Sequence, residues 1–207
     1  MRALIVWLAA LLALGANSGF AWEPGAQYPN AIGDPTQPLS VDTSDRNDVV
    51  AFYNCSFRAS EDYAEHMAWN GSVSACDPGS TSAAFKNDVL RRVNYFRAMA
   101  GVRADVQLSA QFNADAQAAA VLMSDRENLS HDPAGDWGQG GCWSAGAQSG
   151  ASRGNLSLGS FGPGAIDSYM QDDGSNNRPV GHRRWILHPD ITLIGTGDVP
   201  ESGTWPY

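Results

Sequence analysis

From Ser82 onward, apolar residues return every three or four positions: Phe85, Val89, Val93, Phe96 and Ala100. This spacing puts them on one face of a helix, and Gly101 stands where a helix C-cap belongs. A second helix is predicted to begin at Ser109, with Leu108 placed to staple its entry and Phe112, Ala116, Ala119, Ala120 and Met123 on one face. Its alanine richness implies close packing against a neighbour. Upstream, residues 59–69 read as a helix with Ser60 as N-cap, Glu61 and Asp62 at the positive end of the dipole, and Gly71 beyond the end. Residues 132–164 switch to Gly, Ser, Ala and Pro around the large anchors Trp137 and Trp143, the pattern of a long ordered loop with short strands at most. A third helix is expected over about 164–172, a short one over about 181–187 that stops before Pro189, and a strand over 191–194. No internal repeat is visible.

The ends of the chain change the picture. Arg2, an apolar run from Ala3 to Leu14 and small residues closing on Gly19-Phe20-Ala21 have the order of a secretory signal peptide, cleaved after Ala21. The run is too short to span a bilayer as a helix, and no later stretch approaches the roughly 20 residues required. The expectation is an exported protein, extracellular or periplasmic, with no transmembrane segment. Residues 22–40 carry Pro24, Pro29, Pro35 and Pro38 and read as an extended leader. The expected organisation is a signal peptide over 1–21, a leader with a disulfide-stapled helical appendage over 22–81, and the main domain over 82–207. Export permits disulfides, and Cys55 and Cys76, on either side of the expected helix, are the anticipated pair. Cys142 is then the odd thiol.

The net charge of −9 argues against nucleic acid or an anionic membrane as partner, since both need clustered Lys and Arg. No GxSxG and no phosphate-cradling GxxxxGK[ST] occurs, so serine-hydrolase and nucleotide chemistry have no support. Gly141-Cys142-Trp143 faintly echoes a papain-type segment, but too little chain follows for the histidine that fold needs. His131, after the second helix, and His182, opening the last one, are the side chains that bear chemistry: neutral imidazole at helix ends lining a cleft is a common zinc ligand. The bland reading makes them helix-end hydrogen-bonding groups, and no HExxH spacing is present.

The order of features over 82–198 resembles the CAP superfamily of cysteine-rich secretory proteins, antigen 5 and pathogenesis-related proteins. Asn94-Tyr95-Phe96-Arg97 is similar to the N-x-x-R of the first family helix, and Leu129-Ser130-His131 closes the alanine-rich helix. Gly154-Asn155-Leu156-Ser157 resembles the Gly-Glu-Asn segment, Gly181-His182-Arg183-Arg184 a bacterial form of the second histidine motif, and Ile194-Gly195-Thr196-Gly197 the strand after it. The resemblance implies an α+β fold, an α-β-α sandwich around a central, mostly antiparallel sheet. The family's sheet commonly continues beyond that strand, whereas this sequence stops at Tyr207, which implies a fragment or a sheet lacking its last strand. It also implies a cleft lined by His131, Asn155 and His182, with Asp172 as the candidate carboxylate for a divalent metal, zinc or calcium. Gly154 stands where the family usually has a glutamate, so that ligand set is depleted.

Two functions follow as expectations. The first is an extracellular binding module for a small-molecule, peptide, glycan or lipid ligand, with Trp137, Trp143, Tyr169 and Trp185 available for aromatic contacts. The alternative is a metal-dependent hydrolase using His131 and His182 with Asp172 as base, for which a catalytic metal generally wants three protein ligands.

Overall fold

The computed structural model describes residues 38–200, apart from the side chain of Asn176. The expected signal peptide and nearly all of the expected leader lie outside the described residues. In chain order the elements are α1 (Arg46–Phe52), α2 (Tyr63–His66), α3 (Ala83–Met99), β1 (Gln107–Leu108), α4 (Ala110–Arg126), α5 (Pro133–Trp137), α6 (Ala145–Arg153), α7 (Gly162–Gln171), α8 (Gly181–Ile186) and β2 (Leu193–Ile194). The fold is α+β and mostly helical.

Helix α3 starts where its sequence says, because the Ser82 side chain accepts from the Phe85 N–H and so satisfies one of the donors a helix start leaves open. Its apolar face buries Phe85, Val89 and Val93 against Ile166 of α7. Full burial of each such side chain contributes about 1.5–3 kcal/mol. The same helix also buries polar groups, and these connect it to distant segments. Asn94 donates to the Val106 carbonyl and accepts from the Val106 N–H, both at 3.1 Å, which fixes the chain just before β1. Arg97, fully buried, donates to four carbonyls: Arg103 at 2.8 Å, Ile186 at 2.8 Å, His188 at 2.9 Å and Ile191 at 3.2 Å. The N-x-x-R motif thus holds the approaches to both strands. Burial lowers the Arg97 pKa from its ordinary value. Arg92, equally buried, lies 3.6 Å over the Phe57 ring and pairs with Asp167 of α7.

The helix expected over 59–69 is replaced by a more broken path. Asp45 caps α1 through the Asn47 N–H, and a wide turn over Tyr53–Phe57 and a tight one over Arg58–Ser60 lead to the single turn of α2. Ser60 cannot serve as the N-cap: its hydroxyl is buried, donating to the Phe57 carbonyl at 2.8 Å and accepting from Arg92 at 3.1 Å. Phe52, Phe57 and Tyr95 form an aromatic cluster that joins this segment to α3.

Helix α4 packs on α6, an element absent from the sequence reading, through Ala119, Met123 and Ala151. The fit is close enough that a Cβ on Gly150 would lie 2.3 Å from the Asp115 carbonyl oxygen. On another side α4 carries the segment after β2: Asn113 accepts from the Thr196 N–H, and Gln117 bonds both the N–H and the carbonyl of Asp198. Gly197 permits that approach, since a Cβ there would sit 2.1 Å from the Gln117 nitrogen. Asp198 in turn accepts from the Gly162 N–H at 2.8 Å, giving α7 the cap that Phe161 does not supply. Burial pushes the Asp198 carboxyl up in spite of that bond.

A central, mostly antiparallel sheet is not seen among the described residues, whose named strands form a two-stranded parallel pair with Gln107 opposite Leu193 and Leu108 opposite Ile194, and the expected disulfide is corrected. Parallel pairing requires a long crossover, which the chain from α4 to α8 provides. The disulfide is Cys76–Cys142, closing 66 residues of sequence, and not Cys55–Cys76. Cys55 points into the core at 0% exposure, whereas Cys76 sits in an exposed turn that reaches the loop ahead of α6. The Cys142 sulfur is therefore committed, and a nucleophilic Cys142 is excluded in the oxidised protein.

Peptide mapping under non-reducing conditions is expected to yield a Cys76–Cys142 linked pair, with Cys55 alkylated only after unfolding. Cys142→Ser should cost about 2–4 kcal/mol in urea titration, because it releases a long closed loop. A linked Cys55–Cys76 peptide would contradict this pairing.

Candidate functional site

Four separate segments meet in one cleft lined by His131, Ser152, Arg153, Gly154, Asn155, Asp172, Gly181, His182 and Trp185. His131 follows α4, Arg153 ends α6, Gly154 and Asn155 come next, and Asp172 caps the C-terminus of α7 in a left-handed conformation with φ of 51°. His182 opens α8. The expected lining residues His131, Asn155 and His182 thus share a cavity, with the Asn155 amide donating to the His182 carbonyl at 3.2 Å.

Both histidines are held by Nδ1. His131 Nδ1 lies 2.8 Å from the Ala151 carbonyl oxygen, and His182 Nδ1 lies 2.7 Å from Asp172 Oδ1. A carbonyl accepts only, so the His131 proton sits on Nδ1, and a carboxylate imposes the same tautomer on His182. In each ring Nε2 is the nitrogen left to offer a ligand. Tyr169 packs on His182 with ring centroids 5.2 Å apart and planes tilted by 33°, restricting the ring further.

Asp172 is the buried residue that orients this arrangement. Its Oδ2 accepts from the Arg183 N–H at 3.0 Å, so both oxygens are engaged inside the protein. Burial works against its charge, but the Arg183 N–H and the His182 ring outweigh that and hold the carboxyl below its ordinary range. Asp172 therefore positions His182 and has no oxygen directed to a metal. Gly154 offers no ligand either, and a Cβ there would already lie 2.8 Å from the Gly150 carbonyl oxygen, so a glutamate side chain at this position would require the backbone to shift. No group of three or more His, Cys, Asp or Glu able to hold a metal occurs among the described residues. The described residues thus offer two imidazoles as metal ligands, fewer than the three protein ligands a catalytic zinc generally has.

Beside the cleft, and sharing Arg153, Gly154, Asn155 and Trp185 with it, lies a mainly apolar cavity of about 360 Å³. It separates the α3–α7 pair from the α4–α6 pair and is lined by Val93, Met123, Ile166 and Tyr169 among others. Of the four aromatic candidates, Trp137 and Trp143 pack against core clusters beside α4 and Tyr169 faces the apolar cavity. Trp185 is 60% exposed and borders both spaces.

Arg153 was not foreseen, because 132–164 reads as loop. The available signal was Ser144, whose side chain accepts from the Ala147 N–H, followed by Ala147 and Ala151 four residues apart. Its guanidinium contacts the Ser149 hydroxyl and lies 3.5 Å from Asp115 Oδ2.

A helix bundle with two buried, motif-borne side chains on α3 and a cleft between two helix-end histidines defines the class. The cysteine-rich secretory protein family profile (CAP) matches residues 90–205, more than half of the sequence, and the chain belongs to that family. No curated protein and no solved structure matches it.

Asp172→Asn tests the positioning role. A carboxyl held below its unfolded value stabilises the fold above that value, near 4, and loses this contribution as pH falls through the folded value. The variant should be less stable by about 1–3 kcal/mol at pH 7, with the gap closing toward pH 3, as read by urea titration. A gap of the same size at both pH values would contradict the charge-based account.

Proposed function

We propose that this chain is an exported binding module of the CAP family whose ligand occupies the cleft of His131, Asn155 and His182. The observation that carries this reading is the convergence of four segments on two imidazoles whose Nδ1 atoms are tied down and whose Nε2 atoms remain for a ligand. Side chains held this way lose little conformational entropy when they bind a partner. The continuity of the polar cleft with the apolar cavity suits a ligand with both polar and apolar surface.

Export is supported by the order of charged, apolar and small residues over 1–21, by the Cys76–Cys142 disulfide, and by family membership. No helix of the described residues is long and apolar enough to cross a membrane. In this reading residues 82–207 form the binding domain and the segment before them an appendage tied on by the disulfide.

Expression in a secreting bacterial host tests both halves. The exported protein should begin at Trp22 by N-terminal sequencing. A screen of peptides, saccharides and small amphiphiles should find ligands that change the tryptophan fluorescence of the parent but not of Trp185→Phe, and His131→Gln together with His182→Gln should weaken them at least tenfold. Retention of the uncleaved chain inside the cell would sink export. Ligands indifferent to both histidine changes would sink the cleft.

A further inference from the structure

We propose that the cleft binds carbohydrate: one pyranose ring stacked on Trp185, its neighbouring hydroxyls shared between Nε2 of His131, Nε2 of His182 and the Arg153 guanidinium. This rests on the reading of the cleft as a ligand site and names the chemistry of the ligand.

The hydrogen-bonding polarity of the cleft is mixed in a particular way. The Ala151 carbonyl and Asp172 each take an Nδ1 proton, so each imidazole in its neutral form presents a lone pair at Nε2. Arg153, whose side chain is 64% exposed, presents only donors. A ligand must therefore donate at two positions and accept at a third within one cleft. A carboxylate or phosphate supplies acceptors alone and meets two lone pairs. An apolar molecule covers the two Nε2 lone pairs without pairing them, at a cost of roughly 1–3 kcal/mol each, while Arg153 keeps its bonds to Ser149. A catalytic metal cation generally wants three protein ligands, and Asp172 has both oxygens engaged within the protein. Hydroxyl oxygen both donates and accepts, and a ring of adjacent hydroxyls delivers several such atoms at fixed spacing.

Trp185 is an independent observation. It lies three residues after His182, so the two share a face of α8. His188 stacks on its indole at 5.7 Å with planes 21° apart, which steadies one face and leaves the exposure to the other. A rigid, flat, apolar platform beside convergent polar groups matches a pyranose, whose C–H face is apolar and whose rim is hydroxylated.

The test uses the mature protein with its histidines labelled with ¹⁵N. Long-range ¹H–¹⁵N spectra follow the imidazoles during titration with maltotriose, chitotriose, mannotriose and lactose, and in parallel with zinc chloride and a mixed tripeptide pool. At least one saccharide should move the Nε2 signals of His131 and His182 saturably. Its affinity should fall tenfold or more in Trp185→Ala and in Arg153→Gln, and recover in Trp185→Tyr. Both positions are exposed, so unchanged thermal midpoints should show the variants folded. The carbohydrate proposal is overturned if no saccharide moves both signals, or if Trp185→Ala binds as well as the parent. Zinc or peptide moving the signals while saccharides do not would overturn it and leave the binding-cleft reading standing. Silence with every probe would remove both.

Discussion

Arg97 is the point on which the architecture turns. A guanidinium taken out of water needs its donors satisfied, and here four carbonyls from three parts of the chain do so. Ile186 and His188 lie at and beyond the end of α8, Ile191 leads into β2, and Arg103 precedes β1. Any displacement of these segments would strand a buried charge, which costs more than the loss of an ordinary neutral hydrogen bond. With Asn94 fixing Val106 one turn earlier, α3 acts as the template on which both short strands and the last helix are set.

The cleft inherits its geometry from that template. Once the end of α8 is anchored, His182 at its start is held over α7, where Asp172 and Tyr169 fix its ring. His131 comes from the other layer, carried by α4 and tied to the end of α6. Between the layers lie the sheet, the segment after β2, Trp69 and a cavity of about 360 Å³. The two imidazoles thus belong to different helix pairs, and the relative placement of those pairs decides whether they can share a ligand.

Much of this was legible in the sequence wherever a local signal had one meaning. The three- and four-residue spacing of Phe85, Val89 and Val93 has no reading but a buried helix face, and Ser82 and Ser109 cap the helices they precede. His131, Asn155 and His182 were picked out by motif order, and the structure places them around one hollow, which leaves their part in binding to the proposal. What failed were features whose meaning depends on distant partners. Ser60 looks like a cap until Arg92 claims it, and Cys55 like half of a disulfide until the core encloses it. Helix α6 was hidden by small residues that read as loop and that close packing against α4 requires. The strand partners could not be told from periodicity, because each strand is only two residues long.

The most direct test of this account is amide hydrogen exchange on Arg97→Lys, which keeps the charge but cannot reach four carbonyls in fixed directions. The account predicts that protection falls together at residues 181–186, 107–108 and 193–194, while α4 and α6 keep theirs. Parent-like protection in α8 and both strands would contradict it, because the template would then not depend on the guanidinium.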